Sequence, residues 1–230
     1  MQTVVAEDQA YNAIKEMIVK AQLKPGARLV HRKLAKELGV SPIPVVLALR
    51  LLERDGLVVN MPGLGAYVRT WNRDEIVDLY HIRASQEALA AGMCAERATR
   101  VDLAAILDAR DAYQQAVKQA DFETIVQADT AFHMSMVRGA HCAYLETMIH
   151  NLSIVNLSIN MSRYYLTGQE ITSPTNPIWL HIPIVKALEK KDAKAAAAAA
   201  REHIELSMEL RLKSLDENPN AIKTSEAATL

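Results

Sequence analysis

Residues 25–68, PGARLVHRKLAKELGVSPIPVVLALRLLERDGLVVNMPGLGAYV, constrain this chain more than any other stretch. Pro25-Gly26 is a turn dipeptide, and Lys33 to Leu38 then favour a short helix. Gly39 supplies the permissive backbone that a sharp helix-to-helix turn needs. Ser41 suits the N-cap of a second helix. Pro42 falls at its first position and Pro44 still lies in its first turn, where amide hydrogens lack intrahelical partners. Val45, Leu49 and Leu52 recur at i, i+4 and i+7, a packing stripe for that helix, and Gly56 stops it. Leu57-Val58-Val59 and Ala66-Tyr67-Val68 read as two strands around a Pro62-Gly63-Leu64-Gly65 tip. Upstream, Ala10, Ile14, Met17, Ile18 and Ala21 predict a helix over 8–21 that packs on the pair. Helix, turn, helix and a β-hairpin make a winged helix-turn-helix.

At these residues the chain resembles the N-terminal domain of GntR transcription regulators. That pattern runs roughly PG-x-R-L-x-E-x-x-LA-x-x-LGVSRTPVREAL-x-x-LE-x-x-GLV. Pro25, Gly26, Arg28, Leu29, Leu34, Ala35, Gly39, Val40, Ser41, Pro44, Val45, Ala48, Leu49, Leu52, Glu53 and Gly56 fit it. The remainder resembles the FadR-type C-terminal effector domain.

Half of the 230 residues are apolar, enough for a sizeable core in one large or two modest domains. Few aromatics beside abundant Ala, Leu and Lys favour a mainly α chain. No run of about 18 apolar residues appears. Residues 1–20 carry no signal-peptide core, so a cytoplasmic protein without a membrane partner is expected. Cys94 and Cys142 form no CxxC and are expected as free thiols. The net charge of −1 hides an asymmetry. Residues 1–70 hold 10 Lys+Arg against 6 Asp+Glu, or +4, and residues 71–230 hold 16 against 21, or −5. A basic small domain joined to an acidic larger one suits a DNA reader with a separate sensor.

The expected organisation is a winged helix-turn-helix over 1–70, a linker over 71–73 and an antiparallel all-helical domain over 74–216. A disordered tail is expected over 217–230. Helices are expected near 74–98, 101–119, 121–138, 141–167, 176–190 and 192–216. Breaks fall at Thr99-Arg100, Gly139-Ala140 and the Gly168-to-Pro177 loop. Asp192 is placed to cap the last helix.

In a winged helix-turn-helix the second helix enters the major groove of double-stranded DNA, and basic side chains fix it on phosphates. Arg28, His31, Arg32, Lys33 and Lys36 precede the turn, and Arg32 aligns with a family position that contacts DNA. The family motif SRTPVRE carries two arginines and an acid. This chain has Pro42, Val46 and Leu47 at those positions. Two readings follow. In one, Ser41, Arg32, Arg50 and the wing backbone at Gly63 and Gly65 hold an atypical operator, with Ile43 and Val46 touching thymine methyls. In the other, Ile43, Val46 and Leu47 face a protein partner and specific DNA binding is weak or lost.

Asp129 and His133 sit at i, i+4 and project from one helix face. His181 and His203 lie on two later helices. One carboxylate and three imidazoles suit a divalent ion, zinc first, with nickel or manganese as alternatives. The effector domains that the chain resembles carry the same set, a D-x-x-x-H pair followed by single histidines on two later helices. Leu180 departs from an acid common before the third ligand. The resemblance implies a small organic acid that binds the ion through its carboxylate. It also implies that Arg83 faces the same cavity, where a guanidinium would pair with the effector. The alternative for Arg83 is an ion pair with Glu87, four residues on. Asn156, Asn160 and Arg163 interrupt the apolar helix 152–166, and either line that cavity or form a solvated face. His141 and His150 are read as structural, and His31 and His81 have no assigned role.

No nucleophile motif, separately positioned base or phosphate loop accompanies the metal set, so the chain is not read as an enzyme. The expected function is a homodimeric, ligand-responsive transcription regulator, repressing by default. The alternatives are a metal- or ligand-sensing interaction protein and a metal-dependent enzyme.

Overall fold

The computed structural model describes residues 2–119, 122–167 and 178–216, with side chains at 6–119, 122–161, 181–213 and 215–216. Of these residues, 2–72 and 154–167 group as one compact unit, and 73–153 and 178–216 as a second.

The first unit opens with α1 (Gln2–Val19), whose Ala10, Ile14 and Ile18 are fully buried. This helix starts earlier than the apolar stripe predicts and stops at Val19, because Ala21 turns to φ +50. It packs against Val45, Ala48, Leu49 and Leu52 of α3 (Pro42–Arg54). Between them lie β1 (Arg28–Leu29) and α2 (His31–Leu38). Gly39 ends α2 at φ +67, left-handed backbone that glycine adopts without a Cβ clash. The chain then turns into α3 with Ser41 at the N-cap and Pro42 behind it. The Ser41 hydroxyl makes no capping hydrogen bond, so the residue serves by position alone. The wing pairs β2 (Val58–Met61) with β3 (Gly65–Val68), Val58 opposite Val68 and Met61 opposite Gly65. A third strand extends the expected hairpin. β1 pairs with β3 on its other edge, giving the order β1-β3-β2. Two residues are too short to carry an alternating pattern, so β1 is invisible before its partner is known.

The second unit is helical, and the ends of its helices fall within two residues of those expected, although 154–167, expected in this domain, groups with the first unit. It comprises α4 (Arg73–Arg97), α5 (Arg100–Gln119), α6 (Phe122–Gly139), the first half of α7 (Ala143–Thr167), α8 (Ile178–Glu189) and α9 (Ala193–Asp216). The expected loop over 168–177 and tail over 217–230 lie outside the described residues. Local chemistry sets the helix starts. The Ala195 N–H donates to Asp192 Oδ1 at 3.0 Å ahead of α9. Before α5, the Thr99 N–H and hydroxyl donate to Asp102 Oδ2 at 2.8 and 2.7 Å, and the Asp102 N–H returns to Thr99 Oγ1 at 3.2 Å.

α4 and α9 run antiparallel, with Arg73 against Asp216 at one end and Gly92 against Ala193 and Ala197 at the other. Glycine at 92 lets the backbones approach, since an ideal Cβ there lies 3.3 Å from the Ala193 carbonyl oxygen. α6 runs in the same direction as α4, Gly139 beside Cys94 and His133 beside Glu87. Cys94, Ile106, Phe132, Met136, Val137 and Ile184 form the centre of the core. Cys94 and Cys142 are free, and burial pushes the Cys94 thiol up to about 12. Among the described residues, no helix is long and apolar enough to cross a membrane.

Candidate metal centre and nucleic-acid interface

Asp129 and His133 lie one turn apart on α6, and α8 and α9 bring His181 and His203 to the same point. One donor atom from each falls within 4.8 Å of all the others. His133 Nε2 is 3.0 Å from His203 Nε2 and 3.8 Å from Asp129 Oδ1, and His181 Nε2 is 3.3 Å from Asp129 Oδ1. The three histidines are buried, at 0–3 % exposure, while the Asp129 side chain is 28 % exposed. Phe132 stacks on His181 at 4.1 Å and Tyr113 meets it edge-on at 4.7 Å, so aromatic walls fix that ring.

The electrostatics follow from this packing. Burial opposes ionisation of Asp129, but the three imidazoles outweigh it and hold the carboxyl below its usual range. Burial lowers His181 and, together with the neighbouring rings, lowers His203 further, so both keep neutral lone pairs. At His133, burial also acts downward, yet Glu87 and Asp129 more than offset it and raise the ring. Burial likewise pushes the Tyr113 hydroxyl up, with the Asp129 charge adding to it.

The donor set fits a divalent ion. Both nitrogens of His181 and Nδ1 of His203 are buried without a hydrogen-bond partner, a cost of about 1–3 kcal/mol each. Bonds of about 2.0–2.2 Å to nitrogen and oxygen separate ligand atoms by at most about 4.4 Å. The cluster therefore needs only slight contraction to enclose an ion.

Arg83 and Glu87 make the buried ion pair that was one of the two readings for Arg83, with Nε donating to Oε1 at 2.9 Å. The periodicity of α4 leaves a further feature unread, because Glu87 Oε2 lies 2.6 Å from His133 Nδ1. Arg83 and His133 together hold the Glu87 carboxyl down at about 2 against the effect of burial. Asn156 and Asn160 are buried, not solvated, and each has an unpartnered Oδ1. They belong to the stretch of α7 grouped with the first unit. The Arg163 side chain lies outside the described residues. His141 binds Asp102 at 2.8 Å, a structural role, and His31, His81 and His150 are exposed.

In the first unit, an open cleft of about 440 Å³ runs between α3 and the wing. Arg28, His31 and Arg50 line it with Asn60, Gly63 and Gly65, and Glu53 is its one carboxylate. Arg32, Lys33 and Ser41 are exposed outside this lining, as is Ile43 at 67 %. Val46 lines the cleft, while Leu47 is half-buried. The face is thus mixed, basic at Arg28 and Arg50 and apolar at Ile43 and Val46.

Residues 6–68 match the family described as bacterial regulatory proteins, gntR family, and residues 78–206 match the FCD domain. The chain is 29% identical over 146 residues to an uncharacterized HTH-type transcriptional regulator, YdhC, of Bacillus subtilis (strain 168). It is 31% identical over 145 residues to the HTH-type transcriptional regulator McbR of Escherichia coli (strain K12). Each alignment spans 63% of this chain and 65% of the relative, just under two thirds of its length. Among solved structures, E. coli McbR/YncC superposes with a TM-score of 0.76 at 24% identity, over 91% of this chain and 98% of that one, and shares the fold.

Proposed function

This chain belongs to the gntR family of bacterial regulatory proteins and carries an FCD domain, and on that premise we propose that it is a homodimeric repressor released from its operator by a small organic acid. The observation that carries the reading is one chain holding both a winged helix-turn-helix and a buried four-donor cluster. Asp129, His133, His181 and His203 would hold a divalent ion, zinc before nickel or manganese. When bound, the ion supplies Lewis-acid coordination for a carboxylate. Arg83 holds Glu87, and the aromatic walls of Phe132 and Tyr113 keep the His181 ring in place. The paired chains would present two reading domains to a near-palindromic operator. Arg28, Arg32, Lys33 and Arg50 serve as phosphate contacts, Ser41 and the wing backbone at Gly63 and Gly65 as positioning groups, and Ile43 and Val46 as contacts to thymine methyls. An effector that binds one arrangement of those domains more tightly shifts the population away from the DNA-bound one.

Apolar Ile43, Val46 and Leu47 favour a second reading, in which this face docks on a protein partner. A salt-titrated gel shift on the duplex upstream of the protein's own gene, against random duplex, separates the two. DNA reading predicts specific binding with a log–log salt slope near about −0.9 per phosphate neutralised, reduced by about one contact in Arg32→Ala. Binding without sequence preference or salt dependence refutes it.

A further inference from the structure

We infer that Glu87 is a positioning residue for metal capture, fixing His133 so that its Nε2 is the donor presented to the ion. The inference rests on the metal reading above. Glu87 is 1 % exposed, and a carboxylate so buried persists only with partners for its charge. It has two, on different helices. Its Oε1 accepts from Arg83 Nε at 2.9 Å, and its Oε2 lies 2.6 Å from His133 Nδ1.

A carboxylate can only accept, so a hydrogen shared across the 2.6 Å contact would belong to His133 Nδ1. That assignment leaves Nε2 as the nitrogen free to bind an ion, and Nε2 is the atom facing His203 and Asp129. The ring cannot flip without breaking a short contact to a buried anion. Arg83 completes the arrangement by keeping Glu87 ionised and in place. His133 Nδ1 lies 2.6 Å from the Glu87 carboxylate, whereas His181 approaches Asp129 through its Nε2 at 3.3 Å. Glu87 thus supplies one rigid donor, around which the other two rings can adjust as the ion enters. Partners of this kind change metal affinity by roughly 10–100-fold.

The test uses the full chain, stripped of metal, and Zn²⁺ alone, read by competition with a chromophoric chelator. Glu87→Gln keeps the shape and a carbonyl acceptor but removes the charge, and should weaken Zn²⁺ binding roughly 10–100-fold. Because that variant leaves the Arg83 charge buried alone, R83M/E87Q is measured beside it and should show the same loss. Nitrogen-15 NMR of histidine-labelled, zinc-loaded wild-type protein reports the tautomer without any variant, and should place the His133 hydrogen on Nδ1. A role confined to neutralising Arg83 would leave zinc affinity intact in R83M/E87Q. Folded variants that bind zinc as tightly as the wild type, or a His133 hydrogen on Nε2 in the loaded protein, overturn the inference and leave the metal reading standing. A wild type that takes up no zinc overturns both.

Discussion

His203→Ala tests the four-donor cluster most directly. His203 is 3 % exposed on α9, with Nε2 3.0 Å from His133 Nε2 and Nδ1 unpartnered. A structural zinc with four protein ligands binds with an apparent free energy of about 10–16 kcal/mol, or about 3 kcal/mol per ligand. Losing one ligand therefore weakens binding about 100-fold. Metal at 100 times the wild-type Kd stabilises the fold by about 2.7 kcal/mol. At about 2–4 °C per kcal/mol for a chain of this size, the wild-type Tm should rise by about 5–11 °C. The same concentration only matches the variant's Kd, which gives about 0.4 kcal/mol and a rise of about 1–2 °C. Each protein is compared with its own metal-free melt in differential scanning calorimetry, because the substitution also leaves a cavity. Equal metal-induced shifts in the two proteins would refute the assignment.

Gly139→Ala sets a Cβ 2.8 Å from Cys94 Sγ and 3.5 Å from Ile106 Cδ1. It should cost about 1–3 kcal/mol by urea denaturation, with most of that recovered when Cys94→Ala is added. Asp102→Ala removes the carboxylate that accepts from the Thr99 N–H and hydroxyl at the start of α5, and the His141 contact with it. A loss of about 1 kcal/mol, seen as a lower thermal midpoint, is expected. The sign of the pH dependence of metal binding follows from His133. Its raised pKa means that a proton on Nε2 must leave before an ion binds, whereas His181 and His203 are already neutral near pH 6.5. Zinc affinity should start to fall above pH 6.5 as the solution is acidified, by about tenfold per unit for one displaced proton. Chelator competition at several pH values measures it, and an affinity flat down to pH 6.5 would contradict the shift.

Local chemistry made much of this protein legible in its sequence. The turn at Gly39, the proline start of α3, the stop near Gly56 and the cap at Asp192 act within a few residues of themselves. The helix boundaries followed from them. The candidate metal set was legible for a related reason. Asp129 and His133 share a face by helical spacing alone, and the two later histidines needed only helices that return to that face.

Other features depend on groups far apart in the chain. β1 exists only because β3 offers it an edge. That Arg83 and Glu87 pair in a buried contact at 2.9 Å shows only in the folded protein. Glu87 and His133 are separated by 46 positions and meet because α4 and α6 run side by side in the same direction. The stacking of Phe132 on His181 and the orphaned imidazole nitrogens are likewise consequences of packing. Periodicity and capping act through neighbouring backbone and so are written in the sequence. Desolvation and side-chain pairing act through space, and only the assembled helices decide which groups leave water together.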